Sequence, residues 1–251
     1  MPVLTIDGKT VNARDGAYLL EAARQAGITI PTLCHHEAVE AWGGCRLCVV
    51  DVTRRDWDGW RKMVVACMYP VEDGLIVETH TDRVVETRKV VLDLLLARCP
   101  EAPLIQKMAA EHGIQDTSFA PNPVATDCIL CGLCTRVCDR IGVSAISAVD
   151  RGAGREIAPP FHAPPPDCIG CLACAEICPT RCIPYGTGDR GRQIWGKRFE
   201  MVRCKECGRA HVTQAQAAWY DGKGGVPRGY FDTCDACKRK EQARVIASLS
   251  R

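Results

Sequence analysis

The cysteines of this chain are the residues whose type and spacing point most directly to chemistry. The chain has 18 of them in 251 residues, and all but Cys99 and Cys182 fall into four groups of four. In sequence order the groups are Cys34, Cys45, Cys48, Cys67; Cys128, Cys131, Cys134, Cys138; Cys168, Cys171, Cys174, Cys178; and Cys204, Cys207, Cys234, Cys237. Closely spaced thiolates bind zinc and iron-sulfur clusters, so the pattern predicts several metal centres.

The two middle groups share the spacing C-x2-C-x2-C-x3-C, in "CILCGLCTRVC" and "CIGCLACAEIC". This spacing lets one tight loop place three thiolates at three corners of a [4Fe-4S] cubane, while the fourth cysteine starts a helix that points away. Residues 121–185 resemble the bacterial two-cluster ferredoxins, in which the fourth cysteine of each run ligates the other cluster. The resemblance implies a first cluster on Cys128, Cys131, Cys134 and Cys178, and a second on Cys168, Cys171, Cys174 and Cys138. A structural zinc site in each run fits less well, because zinc sites usually combine paired C-x2-C knuckles.

Only the second of these runs ends in Cys-Pro. Pro179 forces the chain to turn as it leaves its cluster, because proline fixes its own backbone and restricts the residue before it. The first run has Asp139 at the equivalent position, which permits the segment "CDRIGVSAIS" to continue as another turn or strand.

The amino-terminal segment has the pattern of a small β-rich domain. "VLTIDGKTVNA" predicts a hairpin around an Asp7-Gly8 turn, and "AYLLEAARQAG" predicts a short amphipathic helix that ends at Gly27. "ITIPTLC" predicts a strand that leads to Cys34. A hairpin, a helix and further strands suggest the β-grasp fold of plant-type [2Fe-2S] ferredoxins. The ligand spacing here is C-x10-C-x2-C-x18-C, which differs from the plant-type opening C-x4-C-x2-C.

The segment "LCHHEAVEAWGGCRLCVVDV" resembles the [2Fe-2S] region of the large iron-sulfur subunit of respiratory complex I. It is also similar to the small diaphorase subunit of NAD-reducing hydrogenases, and to amino-terminal segments of iron-only hydrogenases and some NAD-dependent formate dehydrogenases. The resemblance implies that Cys34, Cys45, Cys48 and Cys67 bind a [2Fe-2S] cluster. Gly43 and Gly44 precede Cys45, where glycine lets the backbone curl closely around sulfide.

Two features depart from that family. The interval before Cys67 is longer, and its filler "TRRDWDGWRK" predicts an enlarged exposed hairpin. Trp57 and Trp60 on this hairpin form either a docking pair or a packing contact with their own strands. The family also carries a cluster with one histidine and three cysteine ligands after the next helix. This chain has the helix, "DRVVETRKVVLDLLLARC", but only Cys99 follows, so we expect that cluster to be lost and replaced by a helical connector.

Four residues beside the cysteine groups allow two interpretations each. We expect Cys182 to be a buried thiol beside the second [4Fe-4S] cluster, with ligand exchange as the alternative. Cys99 is expected to be a packed thiol and not a sensor. His35 and His36 follow Cys34 directly and are expected to be solvated, the alternative being proton-coupled tuning of the [2Fe-2S] potential.

The last 66 residues contain two C-x2-C knuckles, in "RCKECGRAH" and "DTCDACKRK". Paired knuckles predict a zinc-ribbon-like site on Cys204, Cys207, Cys234 and Cys237, although rubredoxin-type iron uses similar ligands. Zinc would fold a segment too small to build its own core. The basic run "CKRKEQAR" is expected to be a solvated helix face or a docking surface for a partner subunit, with nucleic-acid binding as the alternative.

Composition and motifs narrow the function classes. The 32 basic and 30 acidic side chains give a formal charge of +2, which does not favour binding to nucleic acid or anionic lipid. We expect a cytoplasmic protein without a membrane span, because "MPVLTIDGKTVNARDG" lacks an export pattern and "VVLDLLLARC" is short and charged. G-x-G-x-x-G after a strand, G-x4-G-K-[ST] and H-E-x-x-H are all missing from the sequence, so no site for substrate chemistry is predicted.

The sequence therefore predicts an α+β protein of four modules: a β-grasp [2Fe-2S] ferredoxin domain at 1–80, a helical connector at 81–120, a two-[4Fe-4S] ferredoxin-like domain at 121–185, and a zinc-ribbon-like tail at 186–251. The predicted function is an electron-transfer subunit between a flavin/NAD-binding diaphorase-type partner and a catalytic redox subunit, such as a hydrogenase or formate dehydrogenase. A redox-responsive regulator with labile clusters is one alternative. The iron-sulfur subunit of succinate dehydrogenase or fumarate reductase is the other, although it lacks a zinc tail.

Overall fold

The computed structural model describes residues 1–124, 126–188 and 191–249 and has a mixed helix and sheet fold. The chain divides into two compact units. The first comprises residues 1–137, 148–157 and 177–182, and the second comprises residues 138–147, 158–176 and 183–251. Both four-cysteine runs are thus divided between units just before their fourth cysteine.

A five-stranded sheet and one helix form the amino-terminal part of the first unit. The strands are β1 Val3–Ile6, β2 Lys9–Asn12, β3 Val49–Arg54, β4 Lys62–Val65 and β5 Leu75–Glu78, and the helix is α1 Leu19–Gln25. The order in the sheet is β2-β1-β5-β3-β4. The β1–β2 hairpin around Asp7 and Gly8 is antiparallel, as predicted, whereas β1 and β5 are parallel.

Apolar side chains of this sheet and of α1 make one core. Leu4 and Ile6 alternate on β1, Val50 and Val52 alternate on β3, and all four are buried together with Leu19 and Leu20 of α1. Alternation at a period of two places these side chains on one face of the sheet, and the short helix covers that face. The segment between β3 and β4 includes a 3-10 turn at Arg55–Trp57, and the two strands are antiparallel, which confirms the enlarged hairpin.

The predicted strand over residues 28–34 is wrong. This segment contains no helix or strand, although Ile28, Ile30 and Leu33 are buried. Pro31 supplies no backbone N–H for a ladder, and the chain must curl toward Cys34. The three apolar residues Ile28, Ile30 and Leu33 gave the sequence the pattern of a strand, but the segment is a buried loop that does not pair with a strand.

Two helices follow the sheet. The helix α2 spans Asp82–Arg98, and the hydroxyl of Thr81 accepts from the Val84 N–H at its first turn. The helix α3 spans Pro103–Glu111 and begins with proline, which is tolerated at the first helical position. The expected helical segment after Cys99 is therefore present.

The two cysteine runs lie on short elements. The helix α4 spans Leu133–Ile141 and continues past Cys138, whereas α5 spans only Ala173–Glu176 and ends before the Cys-Pro step. This difference is the one that Asp139 and Pro179 predict. Between the runs, β6 Ser147–Val149 pairs with β7 Glu156–Ala158, and 3-10 turns occur at Gly152–Gly154 and Pro160–His162.

The carboxy-terminal part of the second unit contains two small sheets. The strands β8 Tyr185–Gly188, β9 Gly191–Ile194 and β10 Lys197–Phe199 form one sheet, and β11 Met201–Arg203 and β12 Ala210–Thr213 form the other. The helices α6 Gln214–Lys223 and α7 Asp235–Leu249 flank a 3-10 turn at Tyr230–Asp232. Within the described residues, no helix combines the length and the apolar character needed to cross a membrane.

Candidate metal centres

The four cysteines of the first group meet as two pairs. The Cys45 N–H donates to the Cys34 sulfur at 3.3 Å, and a hydrogen bond with the Cys34 thiol lowers the pKa of Cys45 to about 5. A hydrogen bond with Cys67 likewise lowers the pKa of Cys48 to about 7. Two thiol pairs fit the donor set of a [2Fe-2S] cluster, in which each of the two irons is bound by two cysteines.

The loop that carries Cys45 depends on two glycines and one tryptophan. Gly43 has a φ of +66°, a backbone conformation that residues with a side chain rarely adopt. A Cβ at this position would lie 2.7 Å from the Met68 sulfur. A Cβ on Gly44 would lie only 2.4 Å from the ring of Trp42. The prediction that glycine is required before Cys45 is therefore supported at Gly43 by its backbone conformation, whereas the ring of Trp42, which is exposed, can move away from a Cβ at position 44.

Two arginines that the sequence patterns did not single out hold the cysteine loops of the first unit. Arg88 of α2 is 3% exposed and donates to the backbone carbonyls that flank Cys48, those of Leu47 (3.2 Å) and Val49 (2.8 Å). Burial lowers the pKa of Arg88. A buried cation beside Cys48 complements the negative charge of thiolate ligands.

Arg136 of α4 connects the first two cysteine groups. Its Nη2 donates to the carbonyl of Cys34 at 2.7 Å and, more weakly, to that of Cys131 at 3.4 Å. The two carbonyl oxygens are therefore at most 6.1 Å apart, the sum of those distances. The guanidinium also lies 5.4 Å from the ring centroid of Trp42. Nothing in the cysteine spacing indicated this contact, because it joins residues that are a hundred positions apart.

The first four-cysteine run meets Cys178. The charge of Cys178 contributes to the raised pKa of Cys131, which burial brings to about 11, and it also acts on Cys128. Cys131 and Cys134 are buried. Cys178 belongs to the same compact unit as these residues, and the structure brings it close to Cys128 and Cys131 of the first run.

Cys182 lies beside Cys128 and Cys178 of the first proposed [4Fe-4S] site, and the expectation that it accompanies the second [4Fe-4S] cluster is wrong. Its sulfur is 3.6 Å from that of Cys178, and its hydrogen bond lowers the pKa of Cys178 to about 5 and that of Cys128 to about 7. The thiol is half-buried, not buried. Cys182 is four residues after Cys178 and stays close to it. Cys178, the fourth cysteine of the second run, lies with the first run, so Cys182 lies there too.

The second run meets Cys138. The charge of Cys138 acts on Cys168 and Cys174, and burial raises the pKa of Cys174 to about 12. The Ala145 N–H donates to the Cys138 sulfur at 3.3 Å. One cavity is lined by all four of these cysteines, Cys138, Cys168, Cys171 and Cys174, together with Trp195 and apolar residues. A common cavity lined by four thiols and apolar side chains fits a buried four-cysteine cluster.

The last four cysteines form a tighter group. The ligand atoms of Cys204, Cys207, Cys234 and Cys237 all lie within 4.8 Å of one another, and the Cys207 and Cys234 sulfurs are 3.8 Å apart. A tetrahedral zinc with Zn–S bonds of about 2.3 Å separates its sulfurs by about 3.8 Å. The Cys234 N–H donates to the Cys204 sulfur, which lowers the pKa of Cys204 to about 6. The geometry fits one metal ion.

The other residues singled out by the sequence have local partners. Cys99 is fully buried at the end of α2, and burial raises its pKa to about 12, as expected of a packed thiol. His35 hydrogen-bonds Arg24, and the His36 ring accepts from the Ala38 N–H. Trp57 and Trp60 lie 5.1 Å apart with the ammonium of Lys62 over both rings, so the hairpin packs on itself.

Comparison with known proteins agrees with these observations. Residues 3–82 match the family described as 2Fe-2S iron-sulfur cluster binding domain. The chain is 31% identical to the NADP-reducing hydrogenase subunit HndD of Solidesulfovibrio fructosivorans over 72% of its own length and 35% of that protein. It is 28% identical to a subunit of the NADH-quinone oxidoreductase of Rhizobium meliloti, over 82% of its own length and 26% of that protein.

A third relative is NADPH-Fe(3+) oxidoreductase subunit alpha of Geobacter sulfurreducens, 29% identical over 91% of the chain and 29% of that protein. The chain thus spans about a third or less of the length of these relatives. Among solved structures, an NAD+-reducing [NiFe]-hydrogenase is similar, with a TM-score of 0.56 and 28% identity, over 63% of this chain and 74% of that one.

The predicted resemblance to the complex I large iron-sulfur subunit and to NAD-reducing hydrogenases is confirmed by these similarities. The matched family covers residues 3–82, which contain the first cysteine group and its two thiol pairs. Residues 3–82 therefore match a 2Fe-2S iron-sulfur cluster binding domain, and the chain is similar to parts of subunits of NAD(P)-linked oxidoreductases and hydrogenases.

Proposed function

We propose that this chain relays single electrons through one [2Fe-2S] and two [4Fe-4S] clusters, and that its tail binds one structural zinc. The [2Fe-2S] cluster would be bound in a β-grasp domain at residues 1–80, followed by the helical connector at 81–120. The two-[4Fe-4S] ferredoxin-like domain would cover 121–185, and the zinc-ribbon-like module 186–251. The chain itself carries no substrate site in this proposal.

The exchange of the fourth cysteines between the two compact units is the observation that carries the proposal. Cys178 groups with the first run and Cys138 with the second, although each is at least 30 positions away in sequence from the cysteines that it joins. Two independent zinc sites would instead keep each run together, because a single ion needs its four ligands at one point. Reciprocal exchange is the arrangement of two-cluster ferredoxins.

The proposed ligands follow from these groupings. The [2Fe-2S] cluster takes Cys34, Cys45, Cys48 and Cys67; the first [4Fe-4S] cluster takes Cys128, Cys131, Cys134 and Cys178; the second takes Cys168, Cys171, Cys174 and Cys138; and zinc takes Cys204, Cys207, Cys234 and Cys237. Bound clusters supply one-electron redox chemistry. The protein residues orient the thiolates, exclude water from the buried sulfurs and place Arg88 and Arg136 beside the ligand loops.

The proposed partners are a flavin/NAD-binding diaphorase-type subunit and a catalytic redox subunit, such as a hydrogenase or formate dehydrogenase. Support comes from the relatives, whose names describe subunits of NADH-, NADPH- and hydrogen-linked oxidoreductases. A flavin exchanges two electrons, so a chain of one-electron centres can connect it to a distant catalytic site. A cytoplasmic location is proposed because 18 cysteines used as metal ligands and reduced thiols suit a reducing compartment.

The test is a metal analysis of the full chain, purified without oxygen. Iron, acid-labile sulfide and zinc per chain are measured together with low-temperature electron paramagnetic resonance (EPR) spectra of the reduced protein. About ten iron atoms and one zinc per chain are expected, with signals from one [2Fe-2S] and two [4Fe-4S] centres. Two or fewer iron atoms with several zinc ions would refute electron transfer. About fourteen iron atoms would refute the three-cluster count and indicate a fourth cluster near Cys99.

A further inference from the structure

Strands of the tail hold the loop of the second cysteine run at its backbone. The ammonium of Lys197, on β10, donates to the carbonyls of Cys168 (2.9 Å), Pro165 (3.1 Å) and Pro166. Since a carbonyl oxygen lies within about 5 Å of the sulfur of its own cysteine, this ammonium is within about 8 Å of the Cys168 sulfur.

A second cation reaches the same loop from β9. Arg192 is 9% exposed, and its Nη1 donates to the carbonyl of Gly170 at 2.7 Å. Its charge lies close enough to Cys171 for the two to interact. The ring of Phe199 packs so tightly on this loop that a Cβ at Gly170 would lie 2.8 Å from it. Side chains of the tail strands therefore contact the backbone of the loop directly.

A buried indole N–H lies beside the thiol of Cys174. Trp195, in the turn between β9 and β10, lines the cavity that Cys138, Cys168, Cys171 and Cys174 share. Its Nε1 is buried and has no hydrogen-bond acceptor at full hydrogen-bond geometry among the residues that the structure describes. The cysteine with which it interacts is Cys174. A buried donor without a partner costs free energy. The sulfur atoms of a bound cluster would supply the acceptor.

We propose that β9 and β10, through Arg192, Trp195 and Lys197, set the reduction potential of the second [4Fe-4S] centre. The inference rests on the proposed binding of that cluster by Cys168, Cys171, Cys174 and Cys138. It gives the first strands of the tail a redox role that is separate from the zinc group. Reduction adds one negative charge to the cluster, so nearby cations and an N–H donor stabilise the reduced form and raise the potential.

The size of the effect follows from the position of Lys197. A unit charge about 12 Å away, at an effective dielectric constant of about 20, changes the equilibrium constant for reduction about tenfold. Lys197 lies within that distance of Cys168, and its removal should therefore lower the constant at least about tenfold, equivalent to about 59 mV for one electron. Loss of the single N–H of Trp195 should lower it about threefold, because one hydrogen bond contributes less than a full charge.

The experiment is an anaerobic redox titration of the full-length holoprotein followed by EPR. The variants are Lys197→Met, Trp195→Phe and, as a matched control, Arg198→Met. Arg198 follows Lys197 on β10, and successive side chains of a strand point to opposite faces. Its side chain is exposed. The signal that disappears in a Cys171→Ser variant identifies the second centre.

We expect Lys197→Met and Trp195→Phe to lower the potential of the second centre by the stated factors, without shifting the first, and Arg198→Met to change it less than about twofold. Equal shifts in the two β10 variants, or an unchanged second centre, would overturn the inference. If the Lys197→Met variant does not bind the second cluster, Trp195→Phe and Lys197→Arg test the inference instead. Lys197→Arg, which keeps the positive charge, is expected to retain the native potential. Absence of both [4Fe-4S] signals from the unmodified protein would instead refute the proposed function.

Discussion

Arg88 provides the sharpest test of how the amino-terminal domain holds its cysteines. This arginine of α2 is 3% exposed and donates to the carbonyls of Leu47 and Val49, on either side of Cys48. We predict that Arg88→Met, which keeps much of the side-chain volume and removes both hydrogen bonds, destabilises the domain around Cys48.

The expected magnitude follows from those two bonds. A hydrogen bond from a charged donor contributes about 1.5 to 3 kcal/mol, and a buried carbonyl left without a partner costs a similar amount. Removing a buried cation recovers part of its desolvation cost, so the lower end of the range applies. The free energy of opening should fall by about 3 kcal/mol, which corresponds to roughly 100-fold faster hydrogen exchange in β3.

The assay is hydrogen exchange of the holoprotein, measured by mass spectrometry on peptides covering Val49–Arg54. The control is Lys89→Met, the next residue of α2, whose ammonium makes an exposed ion pair with Glu86 at 2.9 Å. Such surface pairs contribute less than about 1 kcal/mol, so exchange in the control should accelerate less than about fivefold. If the rate of hydrogen exchange in Arg88→Met is within about fivefold of the rate in the control, the structural role assigned to Arg88 is refuted.

Three further predictions concern the metal centres. Gly43→Ala should weaken the [2Fe-2S] signal and lower the iron content by up to about two atoms per chain, because alanine is strained at a φ of +66°, whereas Gly154→Ala, with open space around its Cβ, should retain the iron and the signal. Cys178→Ser should lose about four iron atoms while Cys182→Ser retains them, and the reverse result in metal analysis would make Cys182 the ligand. Cys207→Ser should lose the zinc and keep about ten iron atoms, and parallel loss of iron would contradict a separate single-metal site.

Local sequence patterns predicted most of the secondary structure that surrounds the cysteines. The Asp7-Gly8 hairpin, the helix ending near Gly27 and the enlarged hairpin before Cys67 are all present. Each depends on turn chemistry or periodicity within about twenty residues. The strand predicted over residues 28–34 failed because apolar burial alone does not distinguish a strand from a buried loop.

The position of Cys182 shows where spacing was insufficient. Its sequence neighbours belong to the second run, which suggested the second cluster, but Cys178 and Cys182 both lie beside cysteines of the first run. The roles of Arg136 and Lys197 were invisible for the same reason. Arg136 reaches the Cys34 carbonyl and Lys197 reaches the Cys168 carbonyl, and neither pair is related by any local pattern.

The sequence by itself determined the chemistry of this protein: thiolates in four groups, the loop spacing of each group, and the glycines that permit tight curvature before Cys45. These properties are local, because ligand type and short spacing limit which metal a loop can bind. The exchange of the fourth cysteines was already implied by the resemblance to two-cluster ferredoxins. Only the tertiary structure decided where Cys182 lies, which cations lie beside each loop, and that residues of the tail line the second site. These features depend on packing and on burial of charge between residues that are far apart in sequence, and no short sequence pattern records such contacts.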